Sequence, residues 1–211
     1  MGIFCKETKT KNMKVIGITG GIGSGKSIVC KVFELIGTPV YYADIRANWL
    51  TNNDLQLKKE IKELFGRQAY DENGLYNKKW IANQVFENPQ LLQMLNMLIH
   101  PRVFDDTQQW LRQHQNQSYV LREAAISNAA GKGNDLNKII VVSCPLEIRI
   151  KRIKQRDPQR SIEQIHSIIA QQKSDDEFLN ITDYQIINDD SELILPQILI
   201  LHQKLSNGPI S

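Results

Sequence analysis

The chain has 211 residues, 41% of them apolar, and carries 26 Lys plus Arg against 23 Asp plus Glu, a net charge of +3. That size and apolar share suit one compact domain with an insertion or two and exclude a disordered or fibrous chain. The weak charge lacks the concentrated basic block of a dedicated nucleic-acid binder and fits an acidic small molecule at least as well. Three cysteines, Cys5, Cys30 and Cys144, share no metal-ligand spacing, and their odd number argues against a disulfide framework, so a reducing cytoplasm is expected. No apolar run approaches the roughly 20 residues of a membrane span, and no membrane partner is expected. Residues 1–12, MGIFCKETKTKN, lack the apolar segment of a signal peptide, and Lys6 stands where a myristoylation signal needs Ser or Thr; they are expected to form a flexible tail.

From Met13 onward, short β-branched runs alternate with longer segments of helical period, the pattern of an α/β protein with a parallel sheet. Five strands are expected, at Val15 to Thr19, Val40 to Tyr42, Tyr119 to Leu121, Ile139 to Ser143 and Tyr184 to Ile187. After the first, Val29, Val32, Phe33 and Ile36 recur at helical spacing and Gly37 supplies a stop. Between the second and third strands lie about 75 residues without a convincing strand, including LQLKKEIKELFG and LLQMLNMLIHP, too long for a simple crossover and read as an inserted helical subdomain. His100 is expected at the end of its helix, with Pro101 forcing the chain to extend or turn. In PLEIRIKRIKQRD, Leu146, Ile150 and Ile153 form one stripe and Arg149, Arg152 and Arg156 another, so a basic face is expected to point away from the core. PQILILHQKL, with Pro196 in a tolerant first turn, reads as a closing helix.

The chemistry begins at Gly17 to Val29, GITGGIGSGKSIV. Gly20, four residues, then Gly25-Lys26-Ser27 satisfies the phosphate-loop pattern in its required setting, after a strand and before a helix. Glycines at 21, 23 and 25 permit a backbone path on which successive N–H groups turn inward, and the helix N-terminus adds partial positive charge. Lys26 is the expected cation for the β and γ phosphates and Ser27 the hydroxyl for Mg²⁺. Motors, GTPases and small-molecule kinases all use such a loop. The Asn-Lys pairs at 77–78 and 137–138 lack the Asp of a guanine reader, and the strand ending at Ser143 lacks a motor's terminal acid. A compact kinase remains.

On the acceptor side, Asp44 follows the second strand, at the strand ends where a parallel sheet places the loop, and is a candidate base for an acceptor hydroxyl. A strand-end Asp is as readily a helix cap or an outer ligand of a metal. His100 can be a helix-terminal cap, and Arg102 a fork for phosphate or a solvated side chain. Arg149, Arg152 and Arg156 could close over a triphosphate, or simply face solvent.

In this order the residues resemble one family, the dephospho-CoA kinases, from about Val15 to His202. The resemblance is carried by TGGIGSGKS, Ala43-Asp44, IHPRV, EIRIKRIKQRD with Ile169-Ala170-Gln171-Gln172, and ITDYQIINDD. It implies transfer of a phosphoryl group from ATP to the ribose 3′-hydroxyl of dephospho-CoA, the last step of coenzyme A biosynthesis, with Mg²⁺. It also implies a P-loop three-layer α/β/α core with a parallel five-stranded sheet, a helical CoA-binding insertion and a helical lid. The whole is one domain, 13–211, with the core at about 13–48, 117–145 and 182–211, the insertion at about 49–116 and the lid at about 146–181. In this reading ATP meets Gly21, Ile22, Gly23, Ser24, Gly25, Lys26, Ser27, Ile28, Arg152, Arg156 and Asn188. Asp44, His100, Arg102 and Glu123 meet the acceptor, with Asp44 the base and Lys26 beside it in catalysis. Two departures stand out: Tyr42 replaces the first acid of the family's Asp-Ala-Asp, and the run Ile126-Ser127-Asn128-Ala129 lacks the family's Glu. The alternatives are a kinase for another nucleotide or small alcohol and a non-catalytic nucleotide binder. A monomer is compatible with the sequence.

Overall fold

The computed structural model describes residues 13–86, 88–123 and 136–207. The expected tail with Cys5, and the run Ile126-Ser127-Asn128-Ala129, lie outside the described residues. Along the chain come β1 (Lys14–Thr19), α1 (Lys26–Leu35), β2 (Val40–Tyr42), α2 (Ala43–Asn53), α3 (Leu55–Phe65), a 3₁₀ turn (Arg67–Ala69), α4 (Lys78–Phe86) and α5 (Pro89–Gln113). There follow β3 (Tyr119–Glu123), β4 (Lys138–Ser143), α6 (Leu146–Arg156), α7 (Ile162–Ala170), α8 (Asp175–Asn180), β5 (Tyr184–Ile187) and α9 (Ile194–Ser206).

All five expected strands form, in one sheet of order β2-β3-β1-β4-β5. β1 pairs in parallel with β3, Ile18 opposite Glu123, and with β4, Thr19 opposite Val141, while β4 pairs in parallel with β5. Burial on both faces explains the near-continuous apolar runs: Val15 to Thr19 are all buried in β1, and Ile140 to Val142 in β4. α1 lies against β1 and α9, α9 against β5, and α8 against β4. Ile16, Ile18, Phe33, Leu121, Ile140 and Ile198, all fully buried, form the sheet–helix core of this α/β fold. At the foot of the sheet a polar knot holds β3 to α9: the Tyr119 hydroxyl lies 2.8 Å from His202 Nδ1 and receives a 3.0 Å bond from Thr38 Oγ1. Burial pushes the Tyr119 phenol up to about 12.

Two compact units are distinguishable, one built from the chain up to Val40 and from His114 onward, the other Tyr41–Gln113. Beyond the first two residues of the second unit its named elements are helices, joined by a turn with one antiparallel bridge between Tyr70 and Tyr76, and it has its own core of Leu50, Leu57, Ile61, Ala69, Tyr70, Ile81 and Leu95. Asp54 caps α3 by accepting from Leu57 N at 2.9 Å, and Gly66 ends it.

One expectation fails in this unit. α5 does not stop at His100 but runs 25 residues through Pro101. A proline in a helix interior loses one backbone bond and crowds the preceding turn. Here α2, α3 and α4 all pack on α5 within the same unit, and that burial outweighs the local cost. His100 is therefore an exposed mid-helix residue, not a cap.

Ile61 is fully buried in this core, so Ile61→Ala should destabilise the protein by about 2–5 kcal/mol, measured as a shift of the urea midpoint at unchanged slope.

Candidate active site

β1 is central in the sheet, with β3 on one side and β4 on the other, so the chain leaves its carboxyl end at the point where the strand order reverses, where α/β sheets bind ligands. The loop from Gly20 to Gly25 then turns into α1. Gly25 is the N-cap in the left-handed region, φ 88°, and no side chain caps the helix; Ile28 N closes back on the Gly25 carbonyl at 2.9 Å, which leaves the Lys26 and Ser27 amides and the positive end of the helix dipole for an anion. Gly23 has φ 81°, and a Cβ there would stand 2.7 Å from the Arg149 carbonyl oxygen. Only glycine fits both the torsion and the space. Ser24 is buried, and its Oγ has no hydrogen-bond partner.

Lys26 opens α1, and its Nζ lies 2.6 Å from Glu123 Oε1. The pairing of Ile18 with Glu123 explains the contact: the last residue of β3 ends beside the loop that follows β1. Both side chains are largely buried, and an unpaired charge there would be costly. The thiol of Cys30, one turn further along α1, is pushed up to about 12, first by burial and then by the Glu123 carboxylate. Ser27 and Ile28 are exposed on the first turn.

α6 lies against this loop, and its buried residues are Arg149 and Ile153. The sequence-based stripe of Leu146, Ile150 and Ile153 is corrected on this point: Leu146 is exposed, and Arg149 takes the inner face. Arg149 is 3% exposed. Its Nε donates to the Ile22 carbonyl at 3.0 Å, and an outer nitrogen pairs with Asp175 Oδ1 at 3.1 Å. A buried guanidinium is tolerated because each edge has an acceptor. From the segment after α7, Gln172 Oε1 accepts from Ile22 N at 2.8 Å, so one residue of the loop is held at its carbonyl by Arg149 and at its amide by Gln172. Gln172 was visible in the sequence only as part of a family motif, and no periodicity marks it as a loop contact.

Arg152 and Asn188 meet at the end of β5. Asn188 Nδ2 donates to the Ser24 carbonyl at 2.7 Å, and Arg152 donates to the Asn188 carbonyl at 3.0 Å and to Asp190 Oδ1 at 2.6 Å. Asp190 is the one described non-glycine residue with positive φ, 69°. Arg152 also donates to Cys144 Sγ at 3.4 Å, and burial raises that thiol's pKa. Arg156 stands apart, exposed and paired with its neighbour Asp157 at 3.0 Å.

The remaining predicted residues belong to the second unit. Asp44 is the acid in the first turn of α2. Arg102 is half-buried on α5, 3.3 Å from Glu60 and 3.7 Å from Asp54. His100, two residues away, projects from a different side of the same helix.

The family model for dephospho-CoA kinase matches residues 14–193. A dephospho-CoA kinase of Bacteroides fragilis strain YCH46 is 36% identical over 194 residues, covering 90% of this chain and 94% of that protein. Another from Porphyromonas gingivalis is 32% identical over 187 residues, covering 89% and 92%. Among solved structures, a Thermus thermophilus protein superposes with a TM-score of 0.82 at 27% identity, over 94% of this chain and all of that one. The dephospho-CoA kinase of Campylobacter jejuni superposes with a TM-score of 0.62 at 22% identity, over 93% and 99%, a likeness of fold.

The fit of the loop against α6 makes Gly23→Ala a direct probe. The added methyl meets backbone and an unfavourable torsion, so the variant should be less stable by about 1–3 kcal/mol in chemical denaturation and should bind ATP more weakly by calorimetry.

Proposed function

The chain belongs to the dephospho-CoA kinase family and phosphorylates dephospho-CoA with ATP in coenzyme A biosynthesis, and we propose how its own residues divide that work. The acceptor is the ribose 3′-hydroxyl. A bond forms between that oxygen and the γ-phosphorus, the bond from the γ-phosphorus to the bridging oxygen of ADP breaks, and the hydroxyl proton passes to Asp44. A carboxylate is a weak base, but the hydroxyl becomes acidic as its oxygen bonds phosphorus, so the proton moves late and an ordinary Asp suffices.

The observation that carries the reading is the phosphate loop with Lys26 already ordered at its mouth, 2.6 Å from Glu123. The loop from Gly21 through Ile28 wraps the triphosphate; the amides of Ile22, Ser24 and Ile28 hold its shape through bonds to Gln172, Gly21 and Gly25, and the others face the phosphates. Lys26 spans the β and γ phosphates as a point charge, exchanging part of its contact with Glu123 for the stronger anion. Arg152 and Arg156, on α6, neutralise charge spread over the transferring oxygens, with Asn188 fastening the loop from behind. His100 and Arg102 bind the acceptor, within a helical acceptor region at about 49–116, and residues of about 146–181 act as a lid that excludes water.

Mg²⁺ fits the donor set. It keeps several waters and takes phosphate oxygens with only one or two protein oxygens, and the exposed Ser27 hydroxyl at the head of α1 supplies one. Bound there, the ion would neutralise phosphate charge. Among the described residues no cluster of three or more His, Cys, Asp or Glu forms a cage. We take the protein to act in the cytoplasm on small molecules, without nucleic acid or membrane; among the described residues no helix is long and apolar enough to cross a membrane.

Purified protein given ATP, Mg²⁺ and dephospho-CoA should form coenzyme A and ADP, and no product above a blank without acceptor would overturn the reading. A panel of other nucleotides and alcohols should turn over far more slowly. Asp44→Asn should keep ATP affinity while lowering kcat by on the order of 10²-fold or more. An unchanged kcat would give Asp44 a structural role instead.

A further inference from the structure

The turn that carries Asp44 has no cap of its own. Tyr42 is the N-cap of α2 and contributes no capping side-chain bond. α5 supplies a hold on this turn from outside the helix. Asp106 accepts from the Tyr41 hydroxyl at 2.8 Å, and it accepts a two-pronged contact from Arg46, Nε to Oδ2 at 2.9 Å and an outer nitrogen to Oδ1 at 2.5 Å. One carboxylate thus grips the chain three residues before Asp44 and two residues after it.

The donors are themselves held. Tyr41 is 2% exposed, and its ring packs on Trp110, centroids 5.4 Å apart. Burial keeps its phenol protonated, pushing it up to about 12, so it remains a donor throughout the working pH range. The Arg46 guanidinium lies over the Trp49 ring, 4.4 Å from its centroid. Arg46 in turn keeps the Asp106 carboxyl below the usual carboxylate range, so the acceptor stays ionised. Two-pronged arginine–carboxylate contacts restrict angle as well as distance, and all three partners belong to one compact unit.

We propose that Asp106, through Tyr41 and Arg46, is the positioning residue for Asp44, setting the backbone turn from which the base projects. The inference rests on Asp44 being the base. Because the chain is fixed on both sides of residue 44 by one side chain, losing that side chain frees the turn without removing any group that touches substrate. Misplacement of a reacting group by about 1 Å costs on the order of 10²-fold in rate, so a loosened turn should show in kcat.

The full-length protein is assayed as wild type, Asp106→Asn, Asp44→Asn and the double variant, with Arg46→Gln as a second way of opening the clamp. Circular dichroism and thermal melting identify folded variants. Asp106→Asn should lower kcat about tenfold or more with KM for ATP unchanged, and Arg46→Gln should give the same split with a smaller loss. In the Asp44→Asn background, Asp106→Asn should add nothing further, because both act through one group. If Asp106→Asn does not fold, Arg46→Gln decides by the same criteria. A kcat equal to wild type in folded clamp variants, a rise confined to KM for ATP, or a full additional loss in the double variant each overturns the positioning role while leaving Asp44 as the base. Wild-type kcat in Asp44→Asn overturns both.

Discussion

Lys26 and Glu123 form the contact on which the phosphate site depends. It exists because β1 and β3 run parallel in a register that ends both strands at one level, and because the loop after β1 returns to start a helix beside the end of β3. A lysine ammonium loses hydration on burial and needs a partner. Glu123, 9% exposed, provides it. The pair keeps an ordered cation at the positive end of α1, where an anion is already favoured by open amides and the dipole. The cost falls on its neighbours: Cys30, sharing the same buried ground, is held as an unreactive thiol.

The loop's shape is imposed from outside as much as by its glycines. Glycine permits the path, but permission alone leaves many paths. Arg149 and Gln172 select one by taking both polar groups at Ile22, and Asn188 takes the carbonyl of Ser24. The loop is thereby bonded to α6, to the segment after α7 and to the end of β5. Movement of the helices after β4 and the form of the phosphate cradle are mechanically linked. Asp183 anchors the same region, accepting from Ile139 N and from Lys138 to start β5 in register.

Much of this was legible in the residues. The five strands were marked by β-branched runs bounded by turn residues, and the loop by its spacing between strand and helix. Two capping boxes, Ser161 with Gln164 and Ser174 with Glu177, start α7 and α8, short helices that hydrophobic periodicity did not mark. What was not legible depended on tertiary contact. A proline normally ends a helix, and only packing by α2, α3 and α4 carries α5 past Pro101. On α6, apolar residues and arginines alternate closely enough that either stripe could turn inward. A buried arginine is favoured only because the Ile22 carbonyl and Asp175 await it, and neither is visible from helix period. The Asp106 clamp joins residues about 60 apart, a distance that periodicity does not span.

The cations of the site share one further property. Beside the phosphate loop, Lys26 and Arg152 are each already joined to a carboxylate. A free, hydrated arginine must be both dehydrated and immobilised by its ligand. One held by Asp or Glu has had most of that cost met in folding, so phosphate binding becomes an exchange of acceptors. Exchange favours whichever anion carries more charge and more acceptor oxygens, and a polyphosphate exceeds a single carboxylate on both counts. Weakly charged solutes gain nothing by the same exchange. A chain with a net charge of only +3 can thus select strongly anionic substrates without a broad basic surface.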